Sequence, residues 1–179
     1  LGSDEVTLYE MTKAFGVLAK GGLQMSPYII EEIRNSKGDL LYSNPAAQAP
    51  RIYPEELASQ MNGMLSRVVV NGTGGAARFG GWDIAGKTGT SQDYRDAWFI
   101  GYVNQLLAVS WVGYDQERPL GKQETGSKAA APAWVAFMLE ATKDMPVEHF
   151  PVPDSIQFRP IDPLTGLLAP EDSQDIVIE

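Results

Sequence analysis

The sequence predicts an α/β fold organised around an antiparallel sheet, and three observations carry that prediction. Three segments place apolar residues at helical spacing, and two apolar runs separated by Val103-Asn104-Gln105 read as neighbouring strands. A proline-rich C-terminal segment then breaks any further helix of length.

Taken in order, Thr7-Leu8-Tyr9-Glu10 is a capping box, in which a threonine hydroxyl and a glutamate carboxylate satisfy two free N–H groups at a helix start. Leu8, Met11, Phe15 and Leu18 follow on one face and Gly21-Gly22 stops the segment, which predicts a helix of about three turns. Tyr28 to Arg34 and Asp39 to Ser43 flank the polar turn Asn35-Ser36-Lys37-Gly38 and predict a hairpin at the rim of a sheet. Pro54 stands at the first position of a second helix, acids follow in its first turn, and Leu57, Met61, Met64, Leu65 and Val68 line its expected buried face. Seven of the eighteen glycines lie from Asn71 to Gly89, a density that predicts a tight loop leading to a close backbone approach. Ala97 to Tyr102 and Leu106 to Tyr114 form the expected meander, with Trp98, Phe99 and Trp111 to bury. A third helix begins near Pro132, with Trp134, Phe137, Met138 and Ala141 on one face and Lys143 in its last turn.

With 179 residues, 44% of them hydrophobic and 21% charged, the chain has the make-up of one globular domain or a large piece of one. A net charge of −9 without a Lys/Arg run argues against nucleic acid or an anionic membrane surface as the main partner. The charge is uneven: residues 1–145 carry 16 acids and 13 bases, whereas residues 146–179 carry seven acids, one base and six of the twelve prolines. We therefore expect a nearly neutral body, 1–145, followed by an extended acidic segment, 146–179. Cysteine is absent, which excludes disulfides, thiolate catalysis and zinc-thiolate sites. The longest apolar stretch, Leu106 to Tyr114, is far short of the roughly 20 residues that span a bilayer, so any anchor or export signal is expected outside this sequence.

Lys87 admits two readings. Gly81-Trp82-Asp83-Ile84-Ala85-Gly86-Lys87-Thr88 satisfies the G-x-x-x-x-G-K-[ST] pattern of a phosphate loop, and the apolar run ending at Asp115 imitates a magnesium-binding strand. Such a loop follows a buried strand and opens a helix, and neither context is legible here. The alternative takes Lys87-Thr88-Gly89-Thr90 as a strand, because Lys-Thr-Gly is one of the motifs of penicillin-binding proteins and serine β-lactamases.

The neighbouring motifs strengthen that alternative. Gly72-Thr73-Gly74 precedes Ile84-Ala85-Gly86-Lys87-Thr88-Gly89-Thr90, and Asp93-Tyr94-Arg95-Asp96-Ala97-Trp98-Phe99-Ile100-Gly101-Tyr102 and Trp111-Val112-Gly113-Tyr114-Asp115 follow. Glu124-Thr125-Gly126, Ala130-Ala131-Pro132-Ala133-Trp134 and the opening Leu1-Gly2-Ser3-Asp4-Glu5-Val6-Thr7 continue the pattern. This succession resembles the C-terminal part of the transpeptidase domain of class A, bifunctional penicillin-binding proteins, over residues 1 to about 143. The tail stretch Ile161 to Ala169 resembles the extension of Gram-negative members, although a turn without chemistry explains it equally.

The resemblance implies part of a serine β-lactamase-type α/β fold, an antiparallel sheet with helices on both faces, and a D,D-transpeptidase that cross-links peptidoglycan through a serine acyl-enzyme. Its partners would be stem peptides ending in D-Ala-D-Ala, β-lactams that mimic them, and the N-terminal half of the same domain, with neither cofactor nor metal. It also implies a parent with a glycosyltransferase activity, held at the periplasmic face of the bacterial cytoplasmic membrane by an N-terminal anchor. Lys87, Thr88, Gly89 and Thr90 become the substrate-binding strand: Lys87 supplies charge, the Thr88 and Thr90 hydroxyls donate to the substrate carboxylate, Gly89 clears the approach, and the Thr90 N–H joins an oxyanion hole. Period-two alternation puts Lys87 on one face and Thr88 and Thr90 on the other, so a cleft that uses all of them must run along the strand's edge.

The chemistry also needs a Ser-x-x-Lys nucleophile and a Ser-x-Asn loop. No serine in this sequence has lysine three residues later or asparagine two residues later, so the chain alone is expected to form no acyl-enzyme. A non-catalytic, sensor-like module remains the other reading within the family. Among further candidates, His149 reads as a surface or packed histidine, Ser91 to Arg95 as a lip beside the cleft, Arg95 and Asp96 as a local charge pair, and Trp98, Trp111 and Trp134 as core.

Overall fold

The computed structural model describes residues 4–44, 49–162, 165–168 and 177–178. Leu1-Gly2-Ser3 and Pro163, Leu164 and Ala169 of the two motif stretches lie outside them. Helix α1 spans Leu8–Ala19 with the complete capping box at Thr7 and Glu10. It ends as the glycine pair requires: Gly21 and Gly22 adopt φ of 60° and 93°, and their N–H groups close onto the Leu18 and Val17 carbonyls. Helix α2 spans Glu55–Asn71, with Pro54 capping it one position before the expected one and Glu55 and Glu56 in its first turn.

Strands β1 (Glu32–Arg34) and β2 (Leu40–Ser43) form the expected hairpin. Its turn is locked by the Asn35 side chain, whose Oδ1 accepts from the Lys37 and Asp39 N–H groups at 2.8 and 3.0 Å. The hairpin does not sit on a sheet rim as expected; among the described residues β1 and β2 pair only with each other, and all seven residues of these two strands are exposed.

The central sheet has the order β3-β4-β5, built from Ala85–Thr90, Ala97–Tyr102 and Leu107–Val112, antiparallel throughout. On one face Ala85, Tyr102 and Leu107 meet Leu65 of α2 and Phe15, Leu18 and Ala19 of α1. On the other, Phe99, Ala97, Ala108 and Val112 pack with Val69 of α2 and with Trp134 and Met138 of helix α3, Ala131–Ala141. The sheet is therefore flanked by helices on both faces. Trp134 joins α3 to it: the ring meets Phe99 edge-on at 5.0 Å, and Nε1 donates to the carbonyls of Gly101 at 3.3 Å and Ala108 at 3.0 Å.

Three expected buried faces need correction. Helix α2 buries Ala58, Asn62, Leu65 and Val69, not Leu57 and Met64, because Asn62 is drawn inward by a 2.6 Å hydrogen bond from the Tyr102 hydroxyl. In α3, Phe137 points outward while Trp134 and Met138 are buried. Trp111 also lies at the surface, where its Nε1 donates to Asp96 at 3.0 Å.

Residues 146–162 run back along the body in extended and turn conformations, and strands β6 (Pro160–Ile161) and β7 (Val177–Ile178) pair with each other. Phe150 packs edge-on against Tyr102, Asn104 donates to Glu148, and His149 lies 2.7 Å from Asp83.

Burial holds the Tyr102 hydroxyl above the ordinary tyrosine range. Because the folded value exceeds the unfolded one, this group's contribution is complete below about pH 10 and declines as pH rises above it. Urea denaturation across that range is expected to show stability falling more steeply in the wild type than in Tyr102→Phe. Parallel slopes would show that Tyr102 is not held protonated by burial.

Candidate active-site groove

The loop after α2 is shaped by two glycines. The N–H groups of Gly72 and Gly74 both donate to the Val68 carbonyl, at 3.1 and 2.9 Å, and a Cβ on either residue would come within 2.9 and 3.1 Å of that oxygen. The chain thus folds back over the last turn of α2 and holds Thr73 between them. From there the Thr73 hydroxyl reaches the Thr88 hydroxyl on β3, 2.8 Å away.

A second close approach comes from the other side. Gly126 opens a wide helical turn, Gly126–Ala130, that runs into α3. Its N–H donates to Thr90 Oγ1 at 3.0 Å. A Cβ here would overlap the Trp98 carbonyl oxygen and lie 2.5 Å from that of Gly89, so only glycine permits the contact. Thr73, Thr88, Thr90, Thr125 and Ser127, with Gly72, Gly75 and Ala76, line a hollow of about 420 Å³. Five of these eight lining residues carry hydroxyls, each able to donate one proton and accept two.

The predicted residues divide as strand geometry requires. Thr88 and Thr90 face the groove. Lys87 shares a face with Ala85 and Gly89, is exposed, and donates from Nζ to the Thr88 carbonyl at 2.9 Å. Gly89 pairs with Trp98, and a Cβ at Gly89 would lie 3.1 Å from the Trp98 Cβ. As β3 is the outer strand, every second residue's N–H and C=O point away from β4. The phosphate-loop reading fails here, since Lys87 and Thr88 lie in the middle of β3 and no helix opens at them.

Ser91 to Arg95 lies at the C-terminal end of β3. Asp93 and Tyr94 take φ of 57° and 55°, uncommon for residues with a Cβ. The segment is tied down by the Asp96 N–H to Ser91 Oγ at 2.8 Å and by the Leu120 N–H to the Tyr94 carbonyl at 2.8 Å. Arg95 forms ion pairs with Asp93 beside it and with Glu117 across the loop, and Asp96, whose charge also acts on Arg95, accepts from Trp111. Thr73, Thr125, Gly126 and Ser127 were not identifiable as groove residues from sequence; the glycines beside or among them were the available signal.

Residues 1–139 match the family described as Penicillin binding protein transpeptidase domain. The chain belongs to this family, and its helices and antiparallel sheet are those of the transpeptidase fold. Among curated relatives, penicillin-binding protein 1A of Rickettsia typhi is 37% identical over 96% of this chain and 25% of its own length. That of Aquifex aeolicus is 34% identical over 98% and 24%. The crystal structure of penicillin-binding protein 1A from Haemophilus influenzae superposes on all of this chain and 32% of its own with a TM-score of 0.89 at 30% identity. PonA1 of Mycobacterium tuberculosis gives 0.75 at 27% identity, over 83% of this chain and 42% of its own. The chain thus spans about a quarter of the length of these curated relatives, and the resemblance to class A penicillin-binding proteins is met by relatives of the 1A type.

Two glycines of contrasting surroundings test this packing. Gly126→Ala is expected to lower stability by about 1–3 kcal/mol, since rigid backbone must move. Gly63→Ala, inside α2 with open space around it, is expected to raise stability by about 0.5–1 kcal/mol. Thermal denaturation of both variants checks the pair, and an unaffected Gly126→Ala would contradict the close approach.

Proposed function

We propose that this chain is the substrate-binding part of a peptidoglycan D,D-transpeptidase of the penicillin-binding class, with Lys87, Thr88, Gly89 and Thr90 as its substrate strand. The observation that carries this reading is the edge of β3, free of any other strand among the described residues, bordering a hydroxyl-lined groove. An extended stem peptide adds to that edge as another strand, using backbone groups that β4 leaves unpaired. Its terminal carboxylate is held by the Thr88 and Thr90 hydroxyls, which share one face of β3, while Lys87 adds positive charge from the opposite face. Gly89 keeps a side chain off the strand where the peptide passes, and the Thr90 N–H is one donor of the oxyanion hole.

The nucleophile comes from the Ser-x-x-Lys motif that this sequence lacks. Its hydroxyl attacks the carbonyl between the two D-alanines, the terminal D-alanine leaves with a proton on its amine, and the acyl-enzyme passes to an amine of a second stem peptide. β-Lactams enter the same groove and acylate the same serine. We assign residues 1–145 to the C-terminal part of the transpeptidase domain and 146–179 to a proline-rich acidic extension. The whole protein is a membrane-anchored enzyme working in the cell envelope on the periplasmic side, with a glycosyltransferase activity elsewhere in its chain.

A labelled penicillin is expected to mark the full-length protein covalently and to leave residues 1–179 alone unmarked. Lys87→Ala in the full-length protein should slow labelling by about 10–100-fold, the loss of one charged partner. Labelling of the isolated chain would contradict the missing nucleophile, and a full-length protein that takes no label would be the non-catalytic module.

A further inference from the structure

The contact between Thr73 and Thr88 reaches beyond the Lys-Thr-Gly-Thr strand. We infer that Thr73 is a positioning residue: by donating its hydroxyl proton to Thr88 Oγ1, it turns the Thr88 proton outward, toward a carboxylate in the groove. This inference rests on the proposed carboxylate-binding role of Thr88.

A threonine hydroxyl carries one proton. The two oxygens stand 2.8 Å apart with either able to donate, so one of the two protons is consumed between them. If Thr88 donates, its proton is directed at Thr73 and only lone pairs face an incoming anion, which repels it. If Thr73 donates, Thr88 accepts and its own proton is free for the anion. A negative ligand selects the second arrangement, and the chain Thr73 to Thr88 to carboxylate polarises along its length.

Thr90 has the same design with the ambiguity removed. Its Oγ1 already accepts the Gly126 N–H at 3.0 Å, and a backbone N–H can only donate, so the Thr90 proton is directed away from Gly126. The two groove hydroxyls thus each receive one hydrogen bond from behind, Thr90 from a main-chain donor and Thr88 from Thr73. The Gly72 and Gly74 bonds to the Val68 carbonyl hold the Thr73 backbone in place for this task. Gly-Thr-Gly reads as two glycines that let the chain fold back and one hydroxyl that is presented by it.

The test uses the full-length protein and two penicillins, one with its free carboxylate and one methyl-esterified there. Thr73→Val keeps the side-chain shape and removes the hydroxyl, and Thr73→Ser restores it. Thr73→Val is expected to lower the acylation rate constant for the free acid by about tenfold, to change that for the ester by less than about twofold, and to be rescued by Thr73→Ser. Equal loss for acid and ester, no loss for either, or no rescue by serine would overturn the positioning role while leaving the proposed activity standing. Absence of any labelling of the wild type would overturn the proposed activity, and this inference with it.

Discussion

Strand β3 lies in antiparallel register with β4 at all six of its positions and, among the described residues, pairs with no strand on its other side. The arrangement of the site depends on this one-sided pairing. An open strand edge invites unwanted association, and here it is kept short and carries a lysine and two threonines. The strand is held from both directions without being covered. A Cβ at Gly86 would lie 2.9 Å from the Ile100 carbonyl oxygen and from the Phe99 ring, and Gly126 makes a still closer approach against Gly89 and Trp98. Helix α2 reaches both faces of the sheet, with Leu65 in one cluster and Val69 in the other.

These contacts join the groove to the core. Gly126 begins the turn that becomes α3, and eight residues later Trp134 is bonded to the carbonyls of Gly101 and Ala108 on β4 and β5. The Thr90 hydroxyl therefore accepts from a main-chain donor on the segment that leads into a helix anchored by a buried indole. Thr88 meets instead, among the described residues, the hydroxyl of Thr73, a side chain delivered by the loop after α2. The two threonines, equivalent in the strand pattern, are supported by unlike means, one continuous with the core and one belonging to a loop.

Much of this was legible in the sequence because local rules carried it. The capping box at Thr7, the glycine stop after α1, the Asn35 turn and the meander around Val103 follow from short-range chemistry and appear as expected. The alternation that separates Lys87 from Thr88 and Thr90 follows from strand geometry alone. The failures are where tertiary partners outweigh periodicity. Asn62 is polar and reads as solvent-facing, yet it is buried because Tyr102 needs an acceptor, and the buried face of α2 shifts with it. The hairpin looks like a sheet rim by composition, but strand pairing is not a local property, and among the described residues β1 and β2 find only each other. Thr125 and Ser127 join the groove across more than thirty residues from Thr88 and Thr90, a distance over which no periodicity reports.

The central claim is that an extended peptide lies along the free edge of β3 with its carboxylate at Thr88 and Thr90. A crystal structure of the full-length protein with a peptide ending in D-Ala-D-Ala tests it most directly. The account predicts backbone hydrogen bonds between the peptide and β3, and carboxylate oxygens within hydrogen-bond distance of both threonine hydroxyls. A peptide bound away from β3, or one whose carboxylate meets neither threonine, would contradict it.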